Sequence, residues 1–205
     1  LTALFGLKDK RVVLYAGNIG FSQGLDTLID SAHRLAHRTD IVFLIIGEGA
    51  MREPLERRAR ELRLTNCIFS DFQRPENVPR SYSLGDIGLV LLKRDIVVES
   101  VPSKTYSIMA AGLPIVATID QHSEVGELIR SADCGICLEP ENSEALAWGI
   151  AALADDPERR LRLGRNGRDY VVTHFHRDVA AEHYERIIAA GLYPTRFCND
   201  RDQAH

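Results

Sequence analysis

ESVPSKTYSIMAAGLPIVAT, Glu99 to Thr118, reads as a loop, a helix and a buried strand in direct succession. Pro102 and Ser103 open the helix, with Ser103 placed as its N-cap. Gly112 closes it, and Pro114 to Thr118 continues as an apolar strand. Upstream, the strand RVVLYAG breaks at Gly17 into GNIGFSQG, Gly17 to Gly24, a glycine-rich turn feeding another helix. In an open parallel sheet both turns fall outside the carboxyl ends of strands, where ligands bind. Two such strand-to-helix turns can present backbone N–H groups to an anion, which outlines a nucleotide or phosphate site.

Working outward, short apolar runs alternate with amphipathic helical segments. The runs are Val12 to Ala16, Ile41 to Ile46, Cys67 to Phe69, Ile87 to Leu92, Pro114 to Thr118 and Gly135 to Leu138. Between them lie Leu25 to His37, Met51 to Leu62, Val78 to Leu84, Ser103 to Ala111, Val125 to Ser131 and Ser143 to Ala154. This alternation predicts an α/β fold: a Rossmann-like, doubly wound parallel sheet of about six strands with helices on both faces and right-handed crossovers. Two extra C-terminal helices are expected, Pro157 to Val172 and Asp178 to Ala190, separated by THFH.

The chain has 205 residues, 45% of them apolar, enough for one sizeable core. A net charge of −4 argues against a nucleic-acid surface. The arginines of MREPLERRARELR alternate with glutamates, which predicts a solvated helix face. No apolar run approaches the roughly 18 residues of a membrane span, and no signal peptide opens the chain. The expected compartment is the cytoplasm. With no initiator Met, the chain reads as an excised piece of a longer protein. Cys134 and Cys137 have C-x-x-C spacing, but on a short strand they should point to opposite faces. Cys67 and Cys198 are isolated, so all four cysteines read as free thiols.

The first turn, G-x-x-G-x-x-x-G over Gly17, Gly20 and Gly24, is not the dinucleotide fingerprint, although Glu48 in GEG leaves a nicotinamide site open. Asn18 and Gln23 can hydrogen-bond a phosphate or a sugar hydroxyl but bring no charge. In the second turn Lys104 places a cation in a first helical turn, where the helix terminus is already partly positive. A bound anion reverses the sign of that cost. A surface Glu99–Lys104 pair is the alternative.

GNIGFSQGLDTLIDSA, FLIIGEGAMREPLE, VPRSYSLGDIGLVLL and ESVPSKTYSIMAAGLPIVAT, in this order, resemble the C-terminal domain of family-4 retaining glycosyltransferases of the GT-B fold. The resemblance runs from about Arg11 to Gly191. It is closest to bacterial surface-polysaccharide enzymes using N-acetylhexosamine or fucosamine donors. It implies a nucleotide-sugar-binding domain at 11–191, an interdomain linker at 1–10 and a tail at 192–205. It also implies an absent N-terminal half that binds a saccharide or lipid-linked acceptor, carries any bilayer contact and meets the last helix, about His176 to Tyr193. The nucleotide is expected to be UDP, with no metal or other cofactor.

Of the family's two glutamates, Glu99 matches the first, on donor-sugar hydroxyls. Ser107 falls on the second, at the ribose, where it reaches less far and carries no charge. The family's basic pair near the diphosphate falls on Asn18 and Gln23, so Lys104 is expected to supply the missing charge. Ser103 and Lys104 add backbone N–H groups, and Pro102 has none. Asp71, Phe72, Gln73 and Val78 are placed by analogy at the uracil. Two other readings compete. A nucleotide-sugar epimerase of related fold would need a histidine at the sugar, for which His122 is the candidate, though DQHSE reads better as a helix flank. A non-catalytic nucleotide-binding or assembly module would tolerate the loss of the second glutamate and the basic pair.

Overall fold

The computed structural model describes residues 6–71, 74–94 and 101–192. Its strands are β1 Arg11–Ala16, β2 Ile41–Ile46, β3 Cys67–Ser70, β4 Ile87–Leu91, β5 Ile115–Thr118 and β6 Gly135–Leu138. They form a parallel sheet in the order β3-β2-β1-β4-β5-β6. The helices are α1 Leu25–Arg34, α2 Arg52–Glu61, α3 Val78–Tyr82, α4 Ser103–Ala110, α5 Glu124–Ser131, α6 Ser143–Asp155, α7 Pro157–Phe175 and α8 Arg177–Leu192. The doubly wound sheet expected from the alternation is what forms.

Strand periodicity splits the core into two layers. Val13, Tyr15, Phe43, Ile45 and Leu89 face Leu28 and Ile29 of α1, Leu55 of α2 and Ile150 of α6. Leu14, Leu44, Val90 and Ala117 face Tyr82 of α3, Ile108 and Met109 of α4, and Leu128 and Ile129 of α5. Every residue of β2 is buried, as a central parallel strand covered on both faces requires. Truncating Phe43, which is wholly buried, to Ala should cost about 3–5 kcal/mol.

The order of strands reverses between β1 and β4, and there the ladder is short. It pairs Val13 with Ile87 and Leu14 with Gly88 and then stops, although β1 runs on to Ala16 and β4 to Leu91. At the amino end the two strands are tied. Asp86 N donates to Val12 O at 2.8 Å, and Val12 N donates to the Asp86 carboxylate at 2.8 Å. Towards the carboxyl end the strands part, at the switch point of the sheet, and the turn after β1 meets the chain just beyond β4, where Lys93 N donates to Ser22 O at 3.0 Å. Gly88 sets how close α4 comes to β4: a Cβ there would lie 2.4 Å from Ile108 Cγ2.

Several sequence expectations need correction. The N-cap of α4 is Pro102, with no side-chain cap bond, so Ser103 is the first helical residue rather than the cap. α1 stops at Arg34, short of His37, because the chain tightens into i→i+3 bonds, Ala36 N to His33 O and Arg38 N to Leu35 O. α7 continues through most of THFH to Phe175, whose ring packs 4.8 Å from that of Tyr106. Cys134 precedes β6, after Asp133 with φ 42°, so strand alternation does not govern it. Cys134 and Cys137 pack into the same layer. The arginines of α2 are not simply solvated: Arg58 bonds Asp30 at 2.6 Å and Arg52 bonds Asp71 at 2.9 Å. Glu99, Phe72 and Gln73 lie outside the described residues.

Candidate nucleotide-binding site

A crevice of about 310 Å3 lies at the carboxyl ends of β1 and β2, which contribute Ala16 and Ile46, between α3 and the first turns of α4. Gly17, Asn18, Gln23, Val78, Ser103, Lys104 and Ser107 line it together. Residues up to 90 positions apart in the chain thus share one wall. Gly20 shapes the turn without lining the crevice: a Cβ there would meet Asn18 Nδ2 at 2.7 Å. His122 is exposed in the loop before α5, its amide bonded to Asp120 Oδ1 at 2.9 Å, and it does not line the crevice.

The turn after β1 is strapped to the turn after β2. Gly17 N donates to Ile46 O at 2.9 Å, and Ile19 N to Glu48 O at 2.8 Å. These two amides are therefore not available to an anion, which narrows the expected backbone cradle. The close approach depends on glycine at two places. Gly47, at φ +155°, would put a Cβ 1.9 Å from Gly17 O, and Gly17, at φ +147°, would put one 3.2 Å from Lys104 Cε. The glycines of GEG thus serve as packing contacts beneath the turn.

Lys104 crosses the crevice from α4 to β1. Its ammonium donates to Gln23 Oε1 at 2.7 Å and to Tyr15 Oη at 2.8 Å, and it stands 4.3 Å from the centre of the Tyr15 ring. The phenol has one proton, and the short bond to Asn18 O, 2.6 Å, takes it in preference to Gln23 Oε1 at 3.2 Å. Both partners of the ammonium are neutral, and it has three protons to donate. Burial lowers its pKa to about 8. Burial raises the Tyr15 phenol well above its usual range, with Tyr82 adding to the effect. It also raises Tyr82, against a bond from Ser107 that lowers it.

Sequence reasoning missed Tyr15 and Tyr82. Both read as core positions in RVVLYA and VPRSYS. The available signal was a hydroxyl at the carboxyl end of the strand that feeds the glycine turn.

A doubly wound parallel sheet with a partly buried cation in a crevice at the carboxyl ends of its strands defines an α/β domain with a candidate ligand site at the usual place for this architecture. The chain belongs to the glycosyl transferases group 1, whose family model matches residues 5–170. It is 32% identical over 193 residues to the putative colanic acid biosynthesis glycosyl transferase WcaI of Escherichia coli, covering 94% of this chain and 43% of that one. It is 33% identical over 165 residues to the alpha-D-kanosaminyltransferase of Streptomyces kanamyceticus, covering 79% of this chain and 41% of that one. The chain therefore spans under half the length of these curated relatives. Anabaena HepE, solved in complex with UDP and glucose, shares the fold at a TM-score of 0.81 and 16% identity, over 92% of this chain and 50% of that one. The shared fold is GT-B. Among the described residues no helix is long and apolar enough to cross a membrane.

Proposed function

We propose that this chain is the donor-binding half of a retaining glycosyltransferase. It would hold a nucleoside-diphosphate sugar, with uridine as the base, while an N-terminal half presents a saccharide or lipid-linked acceptor at the cytoplasmic side of the membrane. The observation that carries this is the Lys104 ammonium, set in the switch-point crevice on partners that, among the described residues, are neutral. Breaking the bond between the anomeric carbon and the diphosphate builds negative charge on the leaving oxygen. A preorganised cation beside it stabilises that charge more than it stabilises the ground state. The first turn of α4 adds the amides of Ser103 and Lys104 and the positive end of the helix.

The remaining roles follow the resemblance. Glu99 would contact the donor sugar, and Ser107, lining the crevice near Lys104, the ribose. Asp71, Phe72, Gln73 and Val78 would surround the uracil, and no metal takes part. Domain limits of 11–191 with a preceding linker belong to the same proposal, as does contact of α8 with the N-terminal half. The names of relatives support this reading: one belongs to colanic acid biosynthesis and one transfers an amino sugar.

Calorimetric titration of the chain with UDP, GDP, ADP and NAD tests it. UDP should bind selectively. Lys104→Ala should weaken UDP about 10- to 100-fold, the range of one charge-assisted hydrogen bond. Preference for NAD, or UDP affinity untouched by the substitution, would overturn the assignment.

A further inference from the structure

We propose that Tyr15 is a positioning residue for the donor diphosphate, its phenol holding the Lys104 ammonium and the Asn18 carbonyl in one arrangement. The proposal rests on the reading of Lys104 as a diphosphate ligand. Tyr15, the penultimate residue of β1, faces the α1 layer and is wholly buried. A residue that merely filled this space would need no hydroxyl, and a buried hydroxyl is costly unless bonded. Here the oxygen has two tasks. It accepts from Lys104 Nζ at 2.8 Å and donates to Asn18 O at 2.6 Å, so one atom joins the cation to the glycine turn. The ring supplies a second attraction, with the ammonium 4.3 Å from its centre.

A lysine side chain is flexible, and holding it in one geometry normally gives up much rotamer freedom during binding. Tyr15 and Gln23 occupy two of its three protons before any ligand arrives. The third is left for the crevice. Gly17 keeps the way clear, since any Cβ there would press on Lys104 Cε at 3.2 Å. Tyr82 of α3 and Ser81, Ser103 and Ser107 share the crevice lining with the ammonium, the Ser81 and Ser107 hydroxyls donating to Asn77 O and Ser103 O. Among the described lining residues there is no carboxylate and no histidine. Burial holds both phenols neutral well into alkaline pH. Loss of UDP affinity with rising pH should therefore follow Lys104, whose pKa is lowered to about 8.

The test is a double-mutant cycle with Tyr15→Phe and Lys104→Met, in which UDP affinity is measured from pH 6.5 to 9.5. Tyr15→Phe keeps the ring and removes the acceptor. UDP should bind about two- to tenfold more weakly at pH 7, the range of one neutral hydrogen bond. The alkaline fall in affinity should also move to lower pH, because the ammonium loses a partner that favours its charged form. Lys104→Met should abolish the fall, and adding Tyr15→Phe to it should change nothing further. A uniform loss without movement of the fall, or additive effects in the double variant, overturns the role of Tyr15 alone. UDP binding by Lys104→Met equal to wild type overturns the underlying reading instead. A measurement on the wild-type chain is independent of variant folding. The Lys104 ε-methylene protons should show an upfield ring-current shift from Tyr15 by NMR, and ordinary shifts would refute the arrangement.

Discussion

Lys104 opposes the stability of the fold in the form in which it would serve binding. Its pKa falls from 10.5 to about 8, so between those values the unfolded chain holds more of its proton than the folded one. Stability from this group therefore rises with pH across that window, and the full cost is present below about pH 8. Half-buried Cys67 and buried Cys134, both pushed up to about 12, act in the opposite direction as pH rises. The difference between wild type and Lys104→Met isolates the lysine. We expect Lys104→Met to be more stable at pH 7 by about 1–3 kcal/mol, the cost of keeping a proton on so buried an amine, while losing UDP affinity. Urea unfolding at pH 7 and pH 9.5 checks this, and the gap should shrink at the higher pH. At this scale the sequence was partly legible. Lys104 stood out because a cation in a first helical turn opposes the helix dipole. Tyr15 did not, since a buried tyrosine and a functional one have the same strand periodicity. Ser103 was misplaced as a cap because Pro102, one residue earlier, already has the extended backbone of an N-cap, at φ −56° and ψ 130°.

The crevice is built by how closely elements approach, and glycine sets those distances. α4 lies against β4 because Gly88 has no side chain beneath Ile108. Gly88→Ala should push the helix outward, cost about 1–3 kcal/mol by overpacking and weaken UDP several-fold by moving Lys104. Unfolding and calorimetry on one variant check both effects, and unchanged UDP affinity would show that α4 can slide without moving its lysine. Strands and helices were legible because period-two and period-3.6 patterns survive in almost every segment. The errors cluster at ends, where tertiary contact decides. Phe175 carries α7 through THFH by packing on Tyr106, a contact 69 positions away that no local pattern records. The cysteine pair failed likewise, because the turn at Asp133 places Cys134 outside the strand alternation assumed for it.

Across the whole molecule, the parallel sheet and its switch point follow from the order of segments, and the site location follows from the switch point. The occupant's identity does not, since the relatives are about twice as long as this chain. Tyr184, Ile187 and Ile188 of α8 stand exposed at helical spacing, a face whose partner the sequence could not name. In the middle of the sheet, β1 and β4 are tied at their amino ends through Asp86, and their ladder stops at Leu14 and Gly88. Towards their carboxyl ends the link passes instead through the turn after β1, where Ser22 O accepts from Lys93 N at 3.0 Å, just beyond β4. A diphosphate spanning from the β1 turn to α4 would add a second link on that side. UDP should then slow amide hydrogen exchange in β4 and β5 as well as at the lining residues, so that the donor acts as a crosspiece of the sheet itself. Protection confined to the lining would mean that the existing link at Ser22 already holds the two strands rigid without it.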